Sequence, residues 1–516
     1  MTVLSTTPTA HVTQPNPRRW WVLVVLCLSL FMVVVDNTIV NVALPTLSTQ
    51  LGASTSQLQW IVDAYTLVFS ALLLAGGYAG DRFGRRAVLQ VGLIAFAIMS
   101  AAAAFTSSSG GLIAARALMG VGAALIFPAT LATIIAVFTD IRERATAIGI
   151  WSGVTGLAVA VGPVSGGLLL EHFWWGLVFL VNVPIAAVAV VAVRRLVPES
   201  RDPAPGPLDG VGLAASVLGV GLLIWAIIEG PDLGWISVKV LSAGLAAVLV
   251  LAWFVSYEAG RAHPLLDVTL FRNPRFSAAS LAIASAFFGL FGFIFLITQY
   301  MQLVQGYSPL QAGLRTVPFA LVTGIFSPAS ILLMRRFGTK LVVAGGLALM
   351  SAGFAVASGL TVDSAYLGPI LLAMVIMAAG LGLTTSPATE AIMGALPPAK
   401  AGVGSAVNDT TRELGGTLGV AVLGSVFASA YGPRVVDALR GLPEQVVAAV
   451  EESMGAAVVL AQQTPGGETI LAAAQQAFMH GFGAGSLVAA AVTALGAGLA
   501  LMWLPARAHS SAAPAE

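Results

Sequence analysis

Six carboxylates fall within or at the edges of long apolar runs in this 516-residue chain: Asp36, Asp63, Glu229, Glu390, Asp409 and Glu413. Arg116, Arg412 and the interfacial Arg315 stand against them. A charge at the centre of a lipid-embedded helix costs about 2.5–3.5 kcal/mol on insertion scales, so such residues rarely face lipid and mark ion or substrate pathways. In a low dielectric an uncompensated carboxylate favours its neutral form and can exchange a proton. Once ionised, the same group attracts a cation. A proton and a cation competing for one carboxylate is the minimal chemistry of exchange across a membrane.

The elements that must position these groups are helices in a bilayer. The chain is 58% hydrophobic and only 9% charged, with mean hydropathy +0.92. Soluble domains carry about 25% charged residues, so this is an integral membrane protein. Apolar runs of helical length recur without strand-like alternation, which favours a helical bundle over a barrel. Fourteen candidate spans, numbered in chain order, lie near 20–43, 58–79, 87–105, 111–135, 145–169, 177–193, 211–229, 238–257, 276–300, 312–334, 341–360, 367–393, 403–429 and 478–503. The first run is too long for a signal-peptide core and has no small-residue cleavage site, so it reads as a true span. Arginine and lysine gather on one side, around 18–19, 82–86, 142–144, 194–201, 261–275 and 335–340, with Lys400 and Arg507. The other side receives Lys239, Arg434 and Arg440. The positive-inside rule then places both termini in the cytoplasm.

An Arg-Phe-Gly turn occurs twice. Gly80-Asp81-Arg82-Phe83-Gly84-Arg85-Arg86 joins spans 2 and 3, and Arg335-Arg336-Phe337-Gly338-Thr339-Lys340 joins spans 10 and 11. The chain therefore reads as an N-terminal six-helix half (1–197), a linker with inserted spans 7 and 8 (198–275), and a C-terminal six-helix half (276–516). Duplicated halves around a midplane cavity are a transporter design. An external loop is expected at about 432–477, where 446–460 is amphipathic enough for a short helical cap or a plain connector.

Depth sorts the charges. Asp36, Asp63 and Arg116 share the outer level of the first half, where an arginine could hold ionised Asp36 until a proton displaces it; a static salt bridge is the alternative. Asp409 and Glu413 lie one helical turn apart on one side of span 13, with Arg412 able to neutralise one of them. Glu390 reads equally as a cavity carboxylate or as a side chain reaching for the interface. Gly149, Gly153, Gly156, Ala160, Pro163 and Gly167 form one small-residue face on span 5, a packing surface compatible with a seal between the halves. Trp60, Tyr65 and Tyr300 could stack on a lipophilic cation or serve in packing and the interfacial belt.

Absences narrow the class. No lysine is followed by Ser or Thr, so there is no phosphate-binding Gly-Lys-Ser/Thr loop, and there is no His-Glu-x-x-His. An enzyme is not expected, nor a cofactor or a metal. One cysteine, Cys27, excludes a disulfide within the chain. No basic run of the kind that grips nucleic acid is present.

The motifs, in order, resemble the major facilitator superfamily, in its 14-span drug:proton antiporter branch. The likeness covers nearly the whole chain. The loop at 77–86, with Gly77, Asp81, Arg82, Gly84 and Arg85, is similar to the superfamily's loop between spans 2 and 3. Leu112-x3-Arg116-x3-Gly120-x-Gly122 resembles its span 4 motif with a proton-relay arginine. Gly162-Pro163-Val164-Ser165-Gly166-Gly167 resembles the antiporter motif of exporters, and Asp36–Pro45 the signature of this branch's first span. Trp60-Ile61-Val62-Asp63-Ala64-Tyr65 and the span 13 acids before Leu414-Gly415 resemble the quaternary-ammonium multidrug exporters. The resemblance implies a proton-coupled antiporter in the bacterial inner (plasma) membrane, acting as a monomer. It would export lipophilic, mostly cationic drugs such as dyes, antiseptics and antibiotics. In the relatives the carboxylates matching Asp36, Asp63, Asp409 and Glu413 serve in protonation or cation recognition. Here Asp36 with Arg116 would therefore couple to protons, and Asp63, Asp409 and Glu413 would meet substrate. Glu390, which has no counterpart in the relatives, and Trp60, Tyr65 and Tyr300 join the substrate candidates on their own positions and chemistry. A narrow antibiotic self-resistance exporter and a lipid or envelope-precursor transporter share these features. An acidic position of one relative in span 10 is Thr323 here, and another in span 13 is Asn408.

Overall fold

The computed structural model describes residues 17–201, 209–261, 264, 266–396, 401–463 and 467–505. Lys400, Arg507 and the middle of the Pro-rich linker lie outside the described residues. Among the described residues, fourteen helices are long and apolar enough to cross a membrane. They are span 1 Arg19–Gln50, span 2 Thr55–Phe83, span 3 Arg85–Phe105, span 4 Ser109–Val137, span 5 Arg142–His172, span 6 Leu177–Leu196 and span 7 Gly210–Ile228. The rest are span 8 Val238–Ala259, span 9 Pro274–Val304, span 10 Pro309–Phe337, span 11 Thr339–Ser358, span 12 Tyr366–Met393, span 13 Val407–Ala438 and span 14 Gly467–Trp503. Two six-helix bundles with two inserted helices between them make up the fold.

Several helices outrun the apolar segments that betray them. Span 1 continues through Pro45 to Gln50, and the helix of span 13 runs from Ala401 through Pro433 to Ala438. Hydropathy marks only the part of a helix immersed in hydrocarbon, whereas capping and packing set where it ends. The expected loop at about 432–477 is correspondingly shorter. It holds two short helices, Glu444–Glu452 and Met454–Gln463, between the extended ends of spans 13 and 14.

Spans 2 and 10 begin and end alike. Each starts with a capping box, Ser54 with Gln57 and Ser308 with Gln311, in which two orphan N–H groups are satisfied reciprocally. Each ends on a glycine in the left-handed half of backbone space, Gly84 at φ 104° and Gly338 at φ 84°. These are the glycines of the two Arg-Phe-Gly turns, so the repeated motif is a repeated backbone device.

The arginine-rich ends of the first bundle are tied together. Arg19 Nε donates to Glu143 at 2.7 Å, Arg86 pairs with Glu199 at 3.5 Å, and the Arg85 amide donates to the Ser200 carbonyl at 2.8 Å. At the opposite ends the two bundles meet. Gln59 Nε2 donates to the Val420 and Ala421 carbonyls at 3.2 and 2.9 Å, and Gln302 Nε2 to the Val42 carbonyl at 2.9 Å. The short helices bridge both sides here: Ser48 and Ser453 share a 2.7 Å hydrogen bond, Thr55 donates to the Glu452 carbonyl, and Tyr431 donates to the Val450 carbonyl.

The glycine face of span 5 divides at the same level. A Cβ on Gly162 would strike Thr38, one on Gly166 would strike Ile39, and one on Gly167 would lie 2.6 Å from the Pro309 carbonyl oxygen. On Gly149, Gly153 and Gly156 it would meet nothing within 4 Å, as on Gly324 of span 10. The small-residue face thus packs along its end at residues 162–167, away from the arginines. The bundles are closed at the arginine-poor end and parted at the arginine-rich end.

Span 7 fastens across the closed seam. Trp60 Nε1 of span 2 donates to Glu229 Oε1 at 3.0 Å, and Ser425 Oγ of span 13 donates to the Ile227 carbonyl at 2.7 Å. Leu67, Ile224, Ile228 and Ala421 form a small apolar cluster beside these bonds.

Replacing Gly84 with alanine forces a Cβ into a positive-φ backbone and to within 2.6 Å of the Glu199 carboxylate. Gly84→Ala is expected to lower stability by about 1–3 kcal/mol, and Gly338→Ala to fall in the same range from backbone strain, both read as thermal unfolding of purified protein.

Candidate functional site

Asp36 and Arg116 are both completely buried, and they meet: Arg116 Nη1 lies 2.5 Å from Asp36 Oδ2. Arg116 Nε donates to the Ile61 carbonyl at 3.1 Å, and the guanidinium carbon sits 4.2 Å from the centroid of the Tyr65 ring. Glycines make this reach possible. A Cβ at Gly120 would sit 2.6 Å from the Tyr65 carbonyl oxygen, so only glycine lets span 4 lie this close to span 2. Gly162 and Gly166 let span 5 lie against the helix segment that carries Asp36.

A third partner was not visible in the charge pattern. Asn182 of span 6 donates through Nδ2 to Asp36 Oδ1 at 2.7 Å and to Ser100 Oγ of span 3 at 3.0 Å. The residue sits just after a break in span 6, between Leu177–Leu180 and Asn182–Leu196. Pro184 accounts for the break, because its ring crowds the carbonyl four residues earlier and it has no N–H to continue the ladder. An amide inside the apolar run 177–193 was the available signal.

Asp63 lies at the level of Arg116, between Ile61 and Tyr65, which Arg116 touches, but it makes no ion pair with it among the described residues. It lies on the face of span 2 with Gln59 and Thr66, which bond to span 13, Thr66 through the hydroxyl of Thr417 at 3.0 Å. Asp63 is fully buried and neither of its carboxylate oxygens has a hydrogen-bond partner. Gln59 and Thr66, about one turn to either side of it, and Thr417 opposite Thr66 are seam residues that sequence reading did not single out.

On span 13, Asp409 accepts from Asn408 Nδ2 at 3.3 Å, and Glu413 Oε2 is buried without a partner. Arg412 pairs with neither within 4.0 Å among the described residues. It donates to Thr389 Oγ1 at 3.0 Å and lies 5.3 Å over the Phe287 ring. Glu390 is exposed, one turn beyond Ser386, which bonds Ser327 of span 10.

The aromatic residues occupy packing positions in this conformation. Trp60 is held by Glu229, and Tyr65 is buried against Arg116. Tyr300 is buried in the π-helical turn Tyr300–Val304 that ends span 9, donating to the Thr361 carbonyl at 2.9 Å. In the loop at 77–86, Asp81 accepts from Arg85 at 2.8 Å, Arg85 Nη1 donates to the Ala132 carbonyl of span 4, and Arg82 donates to the Tyr78 hydroxyl. Gly77 faces Pro128 of span 4. The Pro163 carbonyl lies so close to Gly313 that no side chain fits between spans 5 and 10. Among the described residues, no group of three or more His, Cys, Asp or Glu side chains is placed to hold a metal ion.

A profile of the Major Facilitator Superfamily matches residues 26–420. The chain belongs to that superfamily. It is 40% identical to "Multidrug efflux pump LfrA" of Mycolicibacterium smegmatis over 93% of this chain and 95% of that one. It is 36% identical to "Methyl viologen resistance protein SmvA" of Salmonella typhimurium, covering 90% and 93%. The fold is similar to that of a bacterial homologue of the human lysosomal transporter Spinster, solved in an inward-facing and unoccupied conformation, with a TM-score of 0.65 at 19% identity over 95% and 99% of the two chains. Membership makes this chain a multi-pass membrane transporter rather than an enzyme.

The buried pair sets a stability test. Removing one partner of a buried ion pair leaves an uncompensated charge and costs about 3–5 kcal/mol. Arg116→Ala is expected to destabilise the purified protein by about that much, and adding Asp36→Asn should recover most of the loss in thermal unfolding.

Proposed function

We propose that the chain is a proton-coupled multidrug efflux antiporter that exports lipophilic, mostly cationic compounds: dyes, quaternary ammonium antiseptics and antibiotics. The observation that carries this reading is a buried carboxylate paired with a buried arginine beside two further acids with unpartnered buried oxygens, Asp63 and Glu413. The names of the relatives support export of drugs, and methyl viologen, named for one of them, is an organic dication.

In this reading Asp36 is the proton switch. Ionised, it is held by Arg116; a proton entering from outside neutralises it and frees the guanidinium, and its release to the cytoplasm restores the pair. The membrane potential supplies about 2.3 kcal/mol per charge per 100 mV. Asp63, Asp409 and Glu413 supply negative charge toward the substrate, with Glu390 at the mouth and Trp60, Tyr65 and Tyr300 as aromatic surfaces exposed as the helices rearrange. Gly77, Asp81, Arg82, Gly84 and Arg85 act as a hinge at the cytoplasmic turn. Gly162, Pro163, Gly166 and Gly167 form the outer seal that separates when the bundles rock.

The working divisions are 1–197, 198–275 and 276–516, with the inserted spans 7 and 8 in the middle segment. The protein acts as a monomer in the bacterial inner (plasma) membrane with both termini in the cytoplasm, as the arginine distribution supports. The parted, arginine-rich end then faces the cytoplasm, which is the side from which an exporter loads.

In proteoliposomes under an imposed pH gradient, the wild type is expected to move ethidium against its concentration gradient. Asp36→Asn should abolish gradient-driven transport while leaving ethidium binding measurable; full gradient-driven transport by this variant would refute the coupling role. Asp63→Asn and Glu413→Gln should each weaken ethidium binding about tenfold, equivalent to the loss of one favourable charge contact.

A further inference from the structure

Asp36 carries two oxygens, and the proton-switch reading uses one of them. Oδ2 is taken by Arg116 at 2.5 Å, and Oδ1 is taken by the Asn182 amide at 2.7 Å. Asn182 is itself fixed from behind. Ser100 Oγ donates its only proton to the Phe179 carbonyl at 2.7 Å, so toward Asn182 it can only accept. That requirement points the NH2 end of the amide, rather than its oxygen, at both Ser100 and Asp36. Asn182 and Ser100 are buried, and so is the carboxylate they serve. The amide comes from span 6 and the hydroxyl from span 3, so spans 1, 3, 4 and 6 converge on one carboxyl group.

We infer that Asn182 is a positioning residue for proton coupling: with Ser100 orienting it, its amide holds the second oxygen of ionised Asp36 and binds that oxygen more weakly once the carboxylate takes up a proton. This rests on the proton-switch reading of Asp36. A neutral carboxyl cannot accept equally at both oxygens, because one carries the proton and becomes a donor. Asn182 therefore discriminates between the two states of Asp36, as Arg116 does, but without charge. The groups facing Asp36 from the neighbouring elements are few. Span 4 presents Arg116, and span 2 presents Tyr65 under the guanidinium. Spans 3 and 6 present the neutral Ser100 and Asn182, and span 5 presents Gly162 and Gly166. Asp63 on the span 13 face of span 2, and Glu413 on span 13, are the other acids of this region.

The sign of the effect follows. A donor to a carboxylate stabilises its ionised form, so removing the donor makes the proton harder to release and moves the pH midpoint of transport upward. Asn182→Leu, close in volume and without a donor, should raise the midpoint by about one pH unit, equivalent to one lost hydrogen bond to a charged group. Ser100→Ala should move it the same way by less, because the amide remains but loses its orientation. Asn182→Gln retains a donor and should lie between wild type and Asn182→Leu.

The test is the pH profile of ethidium transport in proteoliposomes for wild type and these variants, beside infrared titration of the carboxyl band that Asp36→Asn removes. The infrared reading needs folded protein only, so a transport-dead variant still reports. An upward shift in Asn182→Leu and a smaller one in Ser100→Ala support the inference. A lower transport rate with an unmoved midpoint in both variants overturns it and makes Asn182 a packing residue, with the Asp36 reading intact. If wild type and Asp36→Asn show the same carboxyl titration and the same transport, the proton-switch reading fails and takes this inference with it.

Discussion

The architecture of the first bundle depends on keeping an arginine and an aspartate in contact where neither can see water. A buried pair of this kind is a poor source of stability, because desolvating two ions offsets much of their attraction. The chain nevertheless arranges several helices to permit it. Gly120 brings span 4 against the backbone of span 2, Gly92 and Gly122 bring spans 3 and 4 so close that a Cβ on either would lie 3.0 Å from the other's carbonyl oxygen, and Gly162 and Gly166 admit span 1 to span 5. Each glycine gives up helix propensity of about 1 kcal/mol relative to alanine. Packing that sacrifices propensity to house a charge is not explained by stability alone.

The closed seam shows a complementary choice. Hydrogen bonds between side chains and carbonyls, from Gln59, Gln302, Thr55 and Ser425, join the bundles to each other or to the insert and the cap. The small cluster of Leu67, Ile224, Ile228 and Ala421 adds apolar contact where span 7 crosses it. Single hydrogen bonds between neutral groups contribute only about 0.5–1.5 kcal/mol each net, and water can replace them when the seam opens. A seam made of such bonds can part and re-form. In the arginine-rich half of span 5 a Cβ on Gly149, Gly153 or Gly156 would meet nothing within 4 Å, which leaves the same kind of smooth face free to pack when the other half separates.

Much of this was legible in the sequence because charge is conspicuous in an apolar run. Asp36, Arg116 and the repeated Arg-Phe-Gly turn stand out against Leu, Val and Ala, and helical rise places Asp36 and Arg116 at one depth. Three things were not legible. Depth does not give the direction of a side chain around its helix, so a shared level for Asp36, Asp63 and Arg116 did not tell which of the two acids the arginine would hold. Neutral amides and hydroxyls are cheap enough in a helix to pass unnoticed, which hid Asn182, Ser100 and Gln59. Neither could the sequence show that Trp60, which reads as a cation-binding aromatic, is engaged with Glu229 of the insert, since that contact joins segments 169 residues apart.

Asp36 and Asp63 lie on neighbouring helices, and both are fully buried, yet their surroundings are opposite. Asp36 has a charged donor on one oxygen and an amide on the other, so its ionised form is the one the protein is built around in this conformation. Asp63 has no donor on either oxygen and no cation within ion-pair distance among the described residues, so its ionised form is the one the closed seam cannot tolerate. It is satisfied there either by a proton or by a cation brought from outside the protein. Two acids that look interchangeable in composition therefore cannot trade roles. In the proposed exchange, one stores a negative charge while the arginine-rich side is open, and the other takes a positive partner before the seam around it closes.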